Sequence, residues 1–361
     1  MLRAVRAPDT GPQAIMFDNP SFDAHERVVF AEDKASGLRA IVAVHSTRRG
    51  PGAGGCRFWH YRSSAEALTD ALRLSRGMSY KNAMAGLPLG GGKAVVMMDA
   101  RHPKSPQLLE AFGRLVDSLE GSYITAEDVG ATVSDMEVVA TQTPYVSGLP
   151  RTAVDADGNP APKTALGVYL GIKAAVQFQL GRSDLRGVTI GVQGLGGVGY
   201  ALCGLLAADG ASLRVADIRP DVVQRACKEF DALASLPNEI VFERVDVLSP
   251  CALGAVFDAN TIPRVQASII AGAANNQLAT VADGARLHAA GVLYAPDYVI
   301  NAGGIISVGR EYLGGASAAS IEAEIKKIPE RLTEIFARSR AENRPTSDIA
   351  DEMARRLITN A

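Results

Sequence analysis

The chain has 361 residues, too long for one ordinary domain and suited to two. Its 37 Lys+Arg against 39 Asp+Glu leave a net charge of −2, without the basic excess of nucleic-acid binders and membrane-surface proteins. Hydrophobic residues at 47% can bury a large core, and 36 glycines raise the question of whether they serve linkers or close backbone approaches.

Residues Met1 to Gln13 carry Arg3 and Arg6 but no apolar signal-peptide run. Alternation then predicts a hairpin, Val28–Ala31 against Leu38–Val44, turning at Lys34–Gly37. Gly50–Gly55 reads as irregular backbone. A helix is expected from Ser63, with Glu66 completing a capping box and a stripe through Leu68, Ala71, Leu72 and Met78. A short strand, Ala94–Met98, precedes a helix opened by Ser105-Pro106. Hairpin and helices together predict a mixed sheet.

Beyond about Thr164 the rhythm changes. Strands are expected at Val188–Gln193, Leu213–Asp217, Ile240–Phe242, Ala267–Ala271 and Gly291–Tyr294, alternating with helices as in a parallel α/β sheet. Gly158–Pro162 reads as the linker between the two regimes. Ile321 to Ala361 is helical, with Pro329 kinking or dividing it. The most apolar stretch, Gly187 to Ala208, contains Gln193 and seven glycines, a poor membrane span.

Cys56, Cys203, Cys227 and Cys251 form no C-x-x-C pair, which suits reduced thiols in a cytoplasmic protein. His25, His45, His60, His102 and His288 show no ligand spacing, so no metal site is expected.

The strand ending at Gln193 runs into Gly194-Leu195-Gly196-Gly197-Val198-Gly199, an apolar helix follows, and a second strand ends in Asp217. This is the context a dinucleotide fingerprint needs: Gly194 for the turn, Gly196 for approach to the pyrophosphate, Gly199 for helix–strand packing. Asp217 would accept hydrogen bonds from the ribose and repel a 2′-phosphate, which favours NAD over NADP, although Arg219 could soften that preference.

A second dense segment runs from Arg76 to Lys93. Lys81 ends a helix, where a cation also suits the dipole. Lys93 follows three glycines and leads into an apolar strand, a setting that would push an ammonium pKa down. A P-loop does not fit, because Ala94 stands where Ser or Thr is needed. Asp128, after an apolar strand and near Gly130, reads as a cleft residue or a helix cap.

Lys81–Lys93, Ile124–Gly130, Gly194–Gly199, Ala271–Gln277 and Tyr294–Tyr298 through Asn301–Gly304 occur in this order. Together they resemble the Glu/Leu/Phe/Val dehydrogenase superfamily, in particular its leucine, valine and phenylalanine branch, from about Phe17 onward. The resemblance implies a two-domain α/β fold with a cleft. Residues 1–152 would form a mixed-sheet substrate and oligomerisation domain, 153–338 a Rossmann domain, and 339–361 a helix returning to the first. It implies reversible oxidative deamination of an L-amino acid to a 2-oxo acid and ammonia by a homo-oligomer. Lys93 would activate water, Asp128 would shuttle protons at the substrate nitrogen, and Lys81 would hold the substrate carboxylate. Gly54 and Gly55 would line the site, with Asn275 and Asn301 fixing groups at the cleft. Thr164, Ala273 and Asn275 would join residues Gly194 to Gly199 and Asp217 on the cofactor, with Cys251 a packing residue.

Where glutamate enzymes of this family carry a lysine and a serine, Ala53 and Val308 stand, and neither could neutralise a buried carboxylate. Ala126 and Ile305 resemble a leucine-type lining, while the small Ala53 enlarges the pocket. Leucine, valine or isoleucine is therefore expected, with phenylalanine or another bulky apolar substrate as alternative. A catalytically silent dinucleotide sensor would carry a damaged Lys81/Lys93/Asp128 set, and a hydroxyacid dehydrogenase would need a His–acid pair; neither pattern is present.

Overall fold

The structure, a computed structural model, describes residues 16–99, 103–149, 159–252, 254–314 and 317–361. The leader reading at Met1 to Gln13, His102 and the domain boundary at residues 152/153 lie outside the described residues. Two compact units are present. The first joins the described residues up to Ser79 with Leu89–Leu149; the second joins Tyr80–Pro88 with the chain beyond Leu149.

The first unit is built on a mixed sheet. Strands β1 (Arg27–Asp33) and β2 (Leu38–Ser46) form the expected antiparallel hairpin. Its turn is held by the Asp33 carboxylate, which accepts from Ala35 N and Ser36 Oγ, and by Gly37 at φ 77°. The glycine segment is not wholly irregular: Gly52–Ala53 forms β3, followed by β4 (Cys56–Trp59). Helix α1 (Ser64–Met84) follows, capped by Ser63 Oγ on Glu66 N at 3.2 Å. The Glu66 carboxylate reaches back to Arg62 N at 2.9 Å rather than to Ser63, so the box is only half formed.

Strand β5 (Gly90–Met97) takes in all three of its preceding glycines, four residues earlier than expected. Helix α2 (Pro106–Asp117), strand β6 (Tyr123–Ile124) and helix α3 (Val133–Ala140) complete the unit, with Ser105 capping α2. The strand order is β1-β2-β5-β3-β6, with β4 also on β5. Alternation along the strands sorts the core into two layers. Ile41, Ala43 and Val95 pack on Ala67, Leu68, Ala71 and Leu72 of α1. Val42, Val44, Ala94 and Val96 pack on Leu108, Phe112 and Val116 of α2 and on Met136 and Val139 of α3.

The second unit opens with α4 (Ala161–Leu180). Pro160-Ala161-Pro162 is therefore a helix start rather than a linker, since proline in a first turn loses no hydrogen bond. Strands β7 (Thr189–Gln193), β8 (Ser212–Ala216), β9 (Leu233–Ala234), β10 (Val247–Pro250), β11 (Ile269–Ile270) and β12 (Leu293–Tyr294) are all parallel, in the order β12-β11-β10-β7-β8-β9. In chain order this is 3-2-1-4-5-6, the doubly wound arrangement, which places a ligand crevice at the carboxyl ends of β7 and β10.

Helices α5 (Gly197–Ala208), α6 (Pro220–Phe230), α7 (Ala282–Ala289), α8 (Asp297–Ile300), α9 (Gly303–Leu313), α10 (Ala318–Ile325), α11 (Ile328–Glu342) and α12 (Thr346–Thr359) surround the sheet. Ile240–Phe242, expected as a strand, is a single 3₁₀ turn whose Ile240 and Val241 side chains fill a core beside the sheet. The strands there are the short β9 and β10. Pro250 is tolerated because it ends its strand. Pro329 divides the tail, standing in the first turn of α11.

The last helix belongs to the second unit. Ile349, Met353 and Ile358 of α12 are buried in the second unit's core, and Thr346 Oγ1 donates to Tyr294 O at 2.7 Å. Arg355 Nε donates to Tyr80 OH at 2.8 Å, and Tyr80 itself belongs to the second unit. No helix among the described residues is long and apolar enough to cross a membrane.

Candidate active site

In the first unit, three adjacent segments bring the expected residues together. Cys56 pairs with Ala94 of β5 on one side and forms a parallel bridge to Glu127 on the other. Backbone bonds from Gly54 N to Ile124 O, Cys56 N to Ala126 O and Phe58 N to Val129 O zip the 124–129 segment alongside. Gly55 therefore stands between Lys93 and the Asp128 segment. A Cβ at Gly55 would lie 2.5 Å from Glu127 O and 2.9 Å from Asp128 Cβ. Across this bare backbone Lys93 Nζ reaches Asp128 Oδ2 in a close ion pair.

Lys93 is 5% exposed, and an unpaired ammonium at that depth would cost several kcal/mol. Burial pushes the Asp128 carboxyl up, but the Lys93 charge, its hydrogen bond and Arg57 outweigh that and hold the group below the usual carboxylate range. Asp128 is thus held as a half-buried carboxylate, and it is Thr132 that caps α3. Tyr123 OH fixes the neighbouring backbone, donating to Gly54 O at 2.7 Å. Ala53 is buried in β3 and Ala126 is half-buried on the adjoining segment. Gly55→Ala should open this three-strand seam. The expected result is loss of most activity with a lowered melting temperature, checked by initial rates and thermal denaturation; a fully active variant would contradict the geometry.

Sequence reasoning missed Arg57, whose Nε lies 3.4 Å from Asp128 Oδ2 and whose other arm binds Asp70 of α1 at 2.9 Å. Strand periodicity could have found it, because Arg57 shares a face with Gly55. Burial pushes the Cys56 thiol up to about 12, which makes it a packing residue rather than a nucleophile.

In the second unit, the fingerprint adopts its expected form. Gly194 sits at φ 95° with its N–H on Ala216 O at 2.7 Å, and Gly196 precedes the first turn of α5. Gly196 has open space where a Cβ would stand, whereas a Cβ at Gly199 would enter the Gly194 carbonyl oxygen. Leu195 N, ahead of Gly197 and Val198, donates to Asp217 Oδ2 at 2.7 Å. Arg219 is engaged by the same carboxylate, Nε to Oδ1 at 3.1 Å, and by Leu195 O at 3.1 Å. Cys251, whose thiol burial also pushes upward, packs at the crevice with its N–H on Gln193 O.

Asn301 binds Ala273 O at 3.0 Å and Asn275 Oδ1 at 2.8 Å through Nδ2. Its own Oδ1 is buried and has no partner among the described residues, as expected of an acceptor kept for a ligand. Thr164 packs where Gly303 and Gly304 let α9 approach α4. Ile305 and Val308, one helical turn apart on α9, are half-buried. Lys81, in the last turn of α1, puts its charge beside Asp297. Burial pushes that carboxyl up, although Gln277 N and Tyr298 N donate to it at 2.9 and 2.6 Å. Asp297 is a second residue of the region that sequence reasoning gave no role. No group of three or more His, Cys, Asp or Glu among the described residues is placed to hold a metal.

A doubly wound sheet with a glycine turn at its switch point, joined to a unit carrying a buried Lys–Asp pair, defines a dinucleotide-binding dehydrogenase. Family models agree. "Glu/Leu/Phe/Val dehydrogenase, dimerisation domain" matches residues 24–145 and "Glutamate/Leucine/Phenylalanine/Valine dehydrogenase" matches 213–355. The chain is 48% identical to leucine dehydrogenase of Geobacillus stearothermophilus, covering 92% of this chain and 90% of that one. It is 44% identical to valine dehydrogenase of Streptomyces coelicolor, covering 93% of each. The crystal structure of L-tryptophan dehydrogenase from Nostoc punctiforme superposes with a TM-score of 0.82 at 42% identity, covering 93% of this chain and 96% of that one. The chain belongs to the Glu/Leu/Phe/Val dehydrogenase family and is an amino acid dehydrogenase.

Proposed function

We propose that the protein catalyses NAD-dependent, reversible oxidative deamination of an apolar L-amino acid, with leucine, valine and isoleucine preferred over phenylalanine and other bulky substrates. The observation that carries the chemistry is the ion pair between Lys93 and Asp128 across Gly55. When bound, NAD supplies the acceptor for the hydride leaving the substrate Cα. The Asp128 carboxylate takes a proton from the substrate ammonium, so that the nitrogen lone pair can drive that departure. Asp128 passes that proton on to solvent, and water then adds to the imine carbon. The water proton passes to the freed Asp128 carboxylate, while the Lys93 charge steadies the developing oxygen. Asp128 returns this proton to nitrogen and takes up the hydroxyl proton as the carbon–nitrogen bond breaks, so that ammonia leaves and the 2-oxo acid forms. Lys81 is assigned the substrate carboxylate, and Asn275, Asn301, Ala273 and Thr164 the polar groups of cofactor and substrate.

Two features support the finer assignments. Asp217 engages Arg219, which leaves that guanidinium poorly placed for a 2′-phosphate and favours NAD. Ala53, Ala126, Ile305 and Val308 offer the substrate no charge, so a glutamate side chain would go unneutralised. The protein is read as a homo-oligomer assembled through its first unit, the part matched by the dimerisation-domain model.

The test is an initial-rate panel at alkaline pH with L-leucine, L-valine, L-isoleucine, L-phenylalanine, L-tryptophan and L-glutamate, each with NAD and NADP. Expected is turnover of the aliphatic substrates with NAD. Neighbours one methylene apart should differ by about 1–3 kcal/mol in kcat/KM. Preference for glutamate would overturn the substrate class; inactivity on all six would overturn the reaction.

A further inference from the structure

Lys93 has two tasks in this mechanism: it pairs with Asp128 and it serves the oxygen that develops on the substrate. Whenever its charge turns to the substrate, Asp128 loses its nearest cation. Its side chain is only 21% exposed, and a carboxylate so placed would take up a proton and cease to be a base. A second cation already stands there. Arg57 Nε lies 3.4 Å from the same Asp128 oxygen, and the side chain is fixed by its NH1 bond to Asp70 Oδ2 at 2.9 Å. That oxygen also accepts from Tyr61 OH at 2.6 Å. Asp70 sits in the second turn of α1, so Arg57 is held by a helix and not by Asp128 alone. Arg57 is itself 24% exposed and cannot swing freely into water.

We propose that Arg57, anchored by Asp70 and Tyr61, is a positioning residue that keeps the Asp128 carboxylate ionised and aimed while Lys93 changes partners. This rests on the amino acid dehydrogenase chemistry assigned above to Asp128 and Lys93. The planar guanidinium suits the task because one fork can hold two carboxylates at fixed angles, which an ammonium cannot do. The other titratable groups facing Asp128 are Lys93 on β5, the Cys56 thiol on β4, and the Tyr123 and Tyr61 hydroxyls. Neither hydroxyl nor thiol carries charge near neutral pH, so Arg57 is the one constant cation in this set.

Arg57→Gln should move the acid limb of the kcat/KM profile upward by about 1 pH unit. It should also lower kcat by up to about 10-fold at pH values below that limb, with the amino acid KM little changed above it. Arg57→Lys should restore much of the limb and less of kcat. An unmoved limb in an active Arg57→Gln variant would overturn the inference, as would a raised KM alone, which would make Arg57 a substrate ligand. A second readout needs no activity. A carboxylate held ionised contributes stability above its unfolded pKa, lost as pH falls through its folded value. The melting-temperature gap between the parent and its Asp128→Asn variant should therefore close at a higher pH in the Arg57→Gln background than in the native one. Coincident curves would overturn the inference. If the native enzyme turned over no amino acid, the functional reading would fail, and these melting curves would still decide the pairing.

Discussion

Lys93→Ala is expected to lower kcat for oxidative deamination by about a thousand- to ten-thousand-fold, the range for losing a positioned acid–base and charge-stabilising group. Truncation removes the partner that Asp128 holds most closely, and it removes the charge that would meet the developing oxygen. The carboxylate keeps Arg57 at 3.4 Å, so the variant should still fold. Its melting point should fall modestly, because a buried pair is broken but not left wholly uncompensated. The glycine turn and Asp217 belong to the second unit, so NADH affinity should stay within about twofold of the native value. Pre-steady-state absorbance of NADH would measure the chemical step, and fluorescence titration the binding. Wild-type turnover in Lys93→Ala would remove Lys93 from the mechanism; loss of NADH binding would mean that the variant is misfolded rather than silenced.

The order of elements was legible because periodicity and punctuation agreed. The β1–β2 hairpin, the Ser105-Pro106 helix start and the turn after Gln193 each carry a local signal that tertiary packing does not override. The failures have a shared cause. Strands β9 and β10 are two and four residues long and end in Ala234 and Pro250, too short for alternation to register. Ile240–Phe242 looks like a strand because it is apolar, yet it is a 3₁₀ turn whose side chains share a core with Ala216, Leu248 and Ile270 of the sheet. The tail's stripe was found, but a stripe says only that a face is buried, not against which unit.

Glycines were the most instructive part. They serve close backbone approaches: Gly194–Gly199 shape the turn into α5, and Gly55 lies against the Asp128 segment. Gly91 lets α1 lie against β5 at Ser75 and Ser79, Gly92 accommodates the Tyr123 ring, and Gly303 and Gly304 admit α4. Close approach was the right physics, but the approaching group is protein. Among the site residues, Lys93 and Asp128 could be named because each sits beside glycine in an apolar setting. Asp70 and Asp297 could not, since a charge in isolation looks like any solvated surface group until its partners are known.

Gly199→Ala and Gly196→Ala, one methyl group each and three residues apart, should part company in a way that only this turn explains. At Gly199 the new Cβ would enter the Gly194 carbonyl and lie 3.2 Å from Cys251 Cβ. Backbone blocks the first of these, so no rotamer change relieves it, and α5 must draw away from the end of β7. Overpacking of this kind costs about 1–3 kcal/mol, and it also displaces the N–H groups at the start of α5 that would meet the pyrophosphate. Gly199→Ala should therefore lose both melting temperature and NADH affinity, the latter by about 10-fold or more. At Gly196 nothing stands within 4 Å of an added Cβ, and φ is −69°, so the protein itself tolerates alanine. Its methyl would intrude only on a bound pyrophosphate. Gly196→Ala should keep the native melting temperature while NADH affinity falls. Thermal melts beside fluorescence titrations check both. Should Gly196→Ala bind NADH as tightly as the native protein, the pyrophosphate does not pass over that residue.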